Sequence, residues 1–500
     1  MPVKIPLNLN ELEKIADNYD TPYYLYDEES IKNNARIYMY IFKKYFPNME
    51  QYYAVKALPN PSILNILKEC GMGFDCSSPE EIQIVNIVDY YRKTNIMYTS
   101  NYTSKKDLKW ILQNYDNITI NLDSIDCLQN LLDASKETNI KLPDTICFRY
   151  NPIMINDEFD ITDLSHLFVN SELILKSDKD TNKIKDTDKN KIENLDLKKS
   201  GQIIDILKSN NFSGKDTKFG MTFKYIKEAY KLAKTNGIKK FGIHVMPHSN
   251  CMDIKYWTKL IDHMFQVIYE IAVKLDIEIS FLDIGGGIGI PYKPNQKNIN
   301  LEELVMSIYD RFKYNTEYYE IKEPQLITEC GRYITGPYGW LVSRCQSIKY
   351  TDTDIFYGLD SSMANLMRPG MYNAYHHITI PRLDSNLDNF ESVNVVGTLC
   401  ENNDWFAKKR ELPIGIKKGD LFVIHDCGAH AYSMGFNYNS KLHCPEILLK
   451  DNNIQEIRKK ENIHYHLKNT LMYQNMISDL YTLIFLSFLL ILFVLYFFNR

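Results

Sequence analysis

The sequence contains no Cys-x-x-Cys pair. Its ten cysteines, Cys70, Cys76, Cys127, Cys147, Cys251, Cys330, Cys345, Cys400, Cys427 and Cys444, are scattered along 500 residues. Neither a zinc ribbon nor a disulfide framework is indicated. No sustained basic stretch occurs and the net charge is −5, so nucleic acid is not an expected partner. The first twenty residues, MPVKIPLNLNELEKIADNYD, lack the apolar run of a secretory signal. These absences point to a reducing, cytosol-facing compartment with free thiols. Two histidine pairs, His244/His248 and His425/His430, have no third ligand nearby in sequence, and no metal is expected.

Charge is missing altogether from residues 480–498, LYTLIFLSFLLILFVLYFF. A soluble core helix should keep a polar face, and this run has none. At about 1.5 Å per residue it crosses most of a roughly 30 Å hydrocarbon layer. The expectation is a C-terminal transmembrane helix acting as a tail anchor, with the catalytic body facing the cytosol; a cytoplasmic location is the alternative.

The chain has 45% hydrophobic residues, enough for one large domain and a smaller one. Eight strand-like runs, QYYAVK (51–56), GFDCS (73–77), IMYTS (96–100), ITINL (118–122), ICFRYN (146–151), FGIHVM (241–246), SFLDIG (280–285) and QLITE (325–329), alternate with helix-like segments. In one of these, Asn60 suits a cap, Pro61 a first turn, and Gly71 a stop. Mostly apolar strands alternating with helices imply a parallel sheet. Eight such units closing on themselves make an α/β fold, a (β/α)8 TIM barrel, whose active site lies at the C-terminal strand ends. Closure gathers Lys56, Asp75, Ser77, Ser100, Asn101, Asp123, Arg149, Asn151, His244, Gly285–Gly287 and Glu329 at one mouth.

After residue 335 short strand-like runs separated by turns indicate a second, mainly β C-terminal domain of barrel or sandwich type. The expected boundaries are an N-terminal segment, 1–30, joining the β domain or starting the barrel; the barrel, 31–335; the β domain, 336–470; and the membrane helix, 480–498. A Lys/Asp/Asn-rich insertion, about 170–200, shows no apolar period and is expected to be a solvated loop.

FLDIGGGIGIPY, residues 281–292, runs an apolar strand into three glycines, which let backbone amides approach an anion or simply make a tight turn. In QLITECGRY, residues 325–333, Glu329 closes a strand three residues before Arg332, as a functional carboxylate or half of an ion pair. A lysine at a barrel mouth can form a Schiff base with an aldehyde cofactor. A carboxylate across the barrel can hold a pyridinium nitrogen protonated and so make pyridoxal phosphate an electron sink. Further on, Arg368 and Tyr372 could grip a substrate carboxylate. In VVGTLCENND, residues 395–404, Cys400 is expected to end an apolar strand beside Glu401. It could give a proton to a carbanion and Glu401 bind an ammonium group, though an isolated cysteine is more often a buried small hydrophobe.

The segments YYAVKALPNPSILNILKECGMGFDCSS, KFGMT, FLDIGGGIGIPY, ECGRYITGPYG, MRPGMYNAYHHI, GTLCENND and GFNYNSKLHCPEILL carry a resemblance from about residue 20 to about 465. The chain resembles the alanine-racemase/ornithine-decarboxylase barrel group of pyridoxal phosphate enzymes, and within it the diaminopimelate decarboxylase family. The resemblance implies decarboxylation of meso-2,6-diaminopimelate to L-lysine and CO2, in lysine biosynthesis. Alternatives are another amino acid (ornithine, arginine or carboxynorspermidine) or an inactive membrane-tethered regulator.

It also implies roles. Lys56 carries the cofactor, with Asp75 ordering it. Ser249, Gly285, Gly286 and Gly287, with the backbone of Glu329, Cys330, Gly331 and Arg332, hold the phosphate, and Glu329 pairs with the pyridine nitrogen. Arg332, Arg368 and Tyr372 bind the distal end of the substrate, and Glu401 its amino group. Cys400 protonates the carbon that loses CO2, and in this family comes from the partner subunit of a homodimer. Three positions depart from the family pattern: Met246 stands where a histidine stacks on the ring, Cys330 where proline is usual, and His430 where a tyrosine reaches the phosphate.

Overall fold

The computed structural model describes residues 2–89, 94–116, 118–155, 158–160, 218–383 and 389–498. The expected insertion at about 170–200 lies outside the described residues. The chain divides into two units: Met1–Ile5, Asp27–Gly339 and His425–Ser433, and Pro6–Tyr26, Trp340–Ile424 and Met434–Arg500. Residues 425–433 thus belong by contact to the barrel unit, although the sequence on either side belongs to the other.

In the first unit eight strands close into a barrel: β1 (Glu50–Ala54), β2 (Gly73–Cys76), β3 (Ile96–Thr99), β4 (Ile118–Leu122), β5 (Thr145–Tyr150), β6 (Lys240–Val245), β7 (Ile279–Asp283) and β8 (Gln325–Thr328). All neighbours pair in parallel, and β8 returns to β1. These are the eight runs expected from the sequence. Seven of the eight end one or two residues earlier than expected, and Ile118–Leu122 ends as expected.

Side chains alternate in and out of the ring with the two-residue period of a strand. Tyr52, Met97, Cys147 and Phe281, from β1, β3, β5 and β7, cluster inside it with Ile327. This is the layering by alternate strands that fills a closed eight-stranded ring. The layer needs Gly242 on β6, where a Cβ would lie 1.9 Å from the Phe281 ring. One step further along the strands, register places Arg149, His244 and Asp283 side by side on β5, β6 and β7. Pleat and register alone therefore raise a polar layer above an apolar one.

The outer helices start where the sequence supplies caps. Ser78, Ser104 and Ser124 accept from the amides of Glu81, Asp107 and Cys127 at 3.2, 3.1 and 3.1 Å, each worth about 1 kcal/mol. Asn60 caps the Pro61–Glu69 helix through the Ser62 amide at 3.0 Å, and Ile63, Leu64, Ile66 and Leu67 are its buried face. Gly71 follows at φ +83, a conformation that ends helices cheaply only for glycine.

The second unit is a mixed sheet. Its strand order is Trp405–Pro413, Phe390–Val396, Ile355–Leu359, Gly339–Tyr350, Tyr23–Asp27, Glu446–Lys450, Asn453–Arg458, with Leu421–Ile424 pairing on Gly339–Tyr350 and with Ile378–Thr379. Trp340, Val342, Leu359, Val393, Val395 and Val423 are buried on it, each contributing roughly 1.5–3 kcal/mol. A separate helix, Leu471–Phe498, has an exposed apolar surface.

Candidate active site

Lys56 does not sit in a strand. β1 stops at Ala54, and Val55–Ala57 form one 3-10 turn. Pro59 forces Leu58 into an extended conformation, so the turn cannot continue as helix. The turn carries the amine to the barrel mouth, where Nζ is 3.0 Å from Asp75 Oδ2 and 3.3 Å from Ser77 Oγ. The Asp75 carboxylate is fully buried while the Lys56 side chain is 47% exposed, so the lysine is reachable and its counter-charge is not. Burial works against the ammonium, but the charges of Asp75 and then Glu329 outweigh it and hold the Lys56 pKa above its ordinary value.

Across the mouth, His244, Asp283 and Glu329 bring ligand atoms within 4.8 Å of one another, all buried. His244 Nε2 is 3.3 Å from Glu329 Oε2. Thr99 Oγ1 donates to Glu329 Oε1 at 3.3 Å, and the Gly285 amide donates to Asp283 Oδ1 at 2.7 Å. Burial would raise the Glu329 carboxyl; attraction to His244, then to Lys56, overcomes it and brings the pKa down to about 2. Asp283 goes the other way, pushed well above the carboxylate range by burial and by the Glu329 charge. Two adjacent carboxyls in a dry site cannot both ionise cheaply; here Asp283 keeps a proton and Glu329 keeps the charge. Such a trio has donors for a cation, but Lys56 and Arg149 already supply positive charge to Glu329.

The loop after β7 is wedged between its neighbours. Gly285 and Gly287 have φ +68 and +92. A Cβ at Gly285, Gly286 or Gly287 would lie 2.6 Å from Val245 O, 2.6 Å from Glu329 O or 2.4 Å from His248 O. The loop is held by Glu329 N to Gly285 O and Cys251 N to Gly287 O, both 2.8 Å. Met246 lies against it, with Sδ 3.0 Å from the Gly285 Cβ position. Arg332 begins a short helix, Arg332–Thr335, and donates to Ser249 Oγ at 3.2 Å and Tyr292 OH at 3.1 Å. Gly331 lets this segment meet the lysine turn: its Cβ would lie 2.7 Å from the Ala57 Cβ. His430 comes to the same turn, its amide donating to Ala57 O at 2.9 Å.

Cys330 has a local explanation. Its amide donates to Gln51 Oε1 at 3.2 Å and its carbonyl accepts from Gln51 Nε2 at 2.8 Å. Proline has no amide to give to this reciprocal pair. The thiol is buried, which pushes its pKa up to about 12. It is not a titrating group at neutral pH.

Lys56, Asp75, Ser249, Gly285–Gly287, Glu329, Cys330, Gly331, Arg332 and His430 all belong to the first unit; Arg368, Tyr372, Cys400 and Glu401 belong to the second. Arg368 and Tyr372 open and close one five-residue helix, Arg368–Tyr372. Arg368 is buried with Nη1 3.0 Å from His376 Nε2, while Tyr372 is exposed. Cys400 was expected to end an apolar strand, but the strand stops at Val396. Asp404 takes the amides of the segment that follows, so Cys400 stands on an exposed bend, its own amide donating to Asn439 Oδ1 at 2.8 Å. The Glu401 carboxylate accepts from the Asn403 amide at 3.1 Å.

Sequence reading passed over Asp283, Thr99 and Gln51. Strand alternation offered a signal for the first two, which lie an even number of residues beyond the inward Phe281 and Met97. Gln51 carried none, because its role depends on a contact with β8.

The family described as pyridoxal-dependent decarboxylase, C-terminal sheet domain, matches residues 23–428. Protein TabA of Pseudomonas amygdali pv. tabaci is 32% identical over 460 residues, covering 91% of this chain and 92% of its own. Diaminopimelate decarboxylase of Methanothermobacter thermautotrophicus is 28% identical over 449 residues, covering 90% and 91%. The crystal structure of the M. jannaschii diaminopimelate decarboxylase with L-lysine superposes with a TM-score of 0.73 at 25% identity, covering 92% and 94%.

Proposed function

Because the chain belongs to the pyridoxal-dependent decarboxylase family, and is thereby a pyridoxal phosphate-dependent amino-acid decarboxylase, we propose that it converts meso-2,6-diaminopimelate to L-lysine and CO2. One observation carries the site assignment: a half-exposed lysine amine paired with a buried carboxylate, in the same barrel mouth as a second buried carboxylate that stays ionised. The three-glycine loop, packed so closely that a Cβ at any of its positions would meet a backbone carbonyl, is of the kind that holds a phosphate through backbone amides. An ionised Glu329 fits a protonated pyridine nitrogen, so the residues present suit the cofactor.

Lys56 would hold the aldehyde carbon, Gly285–Gly287, Ser249 and the Gly331–Arg332 amides the phosphate, and Met246 would pack against the ring. When bound, the cofactor supplies an electron sink for the pair released as CO2 leaves. The protein's share is placement. Asp75 keeps Lys56 aimed at the mouth, and Glu329, stabilised by His244 and Thr99, offers a fixed negative charge where positive charge must persist. Asp283 holds its proton beside Glu329 and fixes the Gly285 amide. Arg332, Arg368 and Tyr372 would grip the distal carboxylate and Glu401 the distal ammonium. The Cys400 Sγ would deliver the proton to the carbon that lost CO2.

Arginines in that role favour a substrate with a second carboxylate over ornithine or arginine. Sharing of the site across a homodimer, with Cys400 from the partner, is part of the proposal. So is membrane attachment, with the barrel facing the cytosol and a cytoplasmic location as the alternative: Leu471–Leu495 has a mean hydropathy of 2.3 and no burial, which supports the anchor.

The test is CO2 release by the purified full-length chain in detergent from a panel of amino acids, with borohydride reduction and peptide mass spectrometry. Diaminopimelate should be the preferred substrate and the cofactor mass should sit on Lys56. Preference for ornithine or arginine, or a tag elsewhere, overturns the reading.

A further inference from the structure

The Cys400–Glu401 bend is exposed, and an exposed loop needs something to hold its side chains at a fixed place. The second unit supplies it from within. The Asp404 carboxylate is 4% exposed and uses both oxygens on backbone amides: Oδ1 accepts from Met363 at 2.5 Å and Oδ2 from Leu399 at 2.7 Å. Its own amide donates to Glu401 O at 3.2 Å, and its carbonyl accepts from Gly397 at 3.1 Å. Gly397 makes room for it, since a Cβ there would lie 2.4 Å from Asp404 Oδ2. Leu399 immediately precedes Cys400, and Met363 is five residues before Arg368.

A second contact joins the same two segments independently. Gly370, inside the Arg368–Tyr372 helix, lies so close to the Asn403 carbonyl that a Cβ would be 2.2 Å from its oxygen.

We infer that Asp404 is a positioning residue: its carboxylate fastens the loop bearing Cys400 and Glu401 to the segment leading into the Arg368–Tyr372 helix. The inference rests on the roles proposed for those four residues. A carboxylate is the side chain for this task, because it offers two acceptors to two amides from different segments. Asparagine keeps the shape but turns an N–H toward one of them. The bend therefore cannot shift without pulling on the carboxylate-binding helix, and errors of about 1 Å in such placements cost on the order of 10²-fold in rate.

The experiment uses full-length holoenzyme with Asp404→Asn and, as a separate break of the same junction, Gly370→Ala. Hydrogen–deuterium exchange is read in peptides spanning 361–367 and 397–404. Alkylation of Cys400, the one exposed cysteine, is timed under native conditions, and kcat and KM are measured. Exchange should rise about 10-fold or more in both segments, alkylation should change several-fold, and kcat should fall roughly 10- to 100-fold with KM within about threefold. Borohydride labelling of Lys56 should be unchanged. Unaltered exchange in both segments overturns the inference, as does raised exchange with undiminished kcat. Wild-type enzyme inactive on every amino acid, with exchange and alkylation still responding, leaves the clamp standing and removes the proposed function instead. If Asp404→Asn does not fold, Gly370→Ala carries the same readouts.

Discussion

His244 Nε2 stands 3.3 Å from Glu329 Oε2, with both side chains at most 4% exposed. This pairing selects which of two neighbouring carboxyls is charged. Glu329 is ionised, and Asp283, facing it without such a partner, is protonated. Asp283→Asn copies a protonated acid, so it should retain most activity. Glu329→Gln removes the charge and should lower kcat about 10²- to 10³-fold with a smaller change in KM. Steady-state decarboxylation by the two purified variants decides it; equal losses would reverse the assignment.

Asp75 is the strongest support for the Lys56 ammonium. Asp75→Asn should lower the lysine's pKa and raise the fraction of free amine near neutral pH. Cofactor-free variant mixed with pyridoxal phosphate should develop the absorbance near ~420 nm at lower pH than wild type. An unshifted pH profile would show that Asp75 does not set the charge of Lys56.

Gly285→Ala places a Cβ 2.6 Å from Val245 O at φ +68. The strain should cost about 1–3 kcal/mol and open the cradle. Cofactor affinity, measured by titrating the ~420 nm band, should weaken by about tenfold or more, with a lowered melting temperature. Unchanged affinity would place the phosphate elsewhere.

His377 gives a pH dependence outside the site. Burial, and then the Arg410 charge, lower its pKa to about 4. The unfolded chain takes up this proton near pH 6.5 and the folded chain only near 4. Stability should therefore hold above 6.5 and decline by on the order of 1–3 kcal/mol as pH falls from 6.5 to about 4. His377→Gln should remove that slope in urea unfolding series; an identical slope would assign the acid sensitivity to other groups.

Much of the barrel was legible because its strands are apolar runs that end on chemistry. QYYAVK announces a strand and a lysine in six residues, and GGG after FLDI announces a tight loop. What escaped depends on neighbours far away in sequence. The protonation of Asp283 follows from Glu329, 46 residues later, and the amide-bearing residue at 330 from Gln51. In the mixed sheet, Trp405–Pro413 (WFAKKRELP) is interrupted by a continuous charged run, Lys408–Glu411, and Asn453–Arg458 (NIQEIR) spaces its two isoleucines three apart, so neither shows the two-residue period of a strand. Cys400 looked like a strand end because VNVVGTLC is apolar almost throughout; Gly397 and the Asp404 carboxylate turn the chain three residues earlier.

The reciprocal bonds between Gln51 and Cys330 have an evolutionary reading. A lineage that restores proline at 330 forfeits one of the bonds to Gln51 Oε1, leaving the Thr328 hydroxyl at 2.6 Å and the 330 carbonyl to hold the glutamine, so the pressure to keep glutamine at 51 is weakened. The two positions should drift as a pair through descent, although one lies in the first barrel strand and the other follows the last.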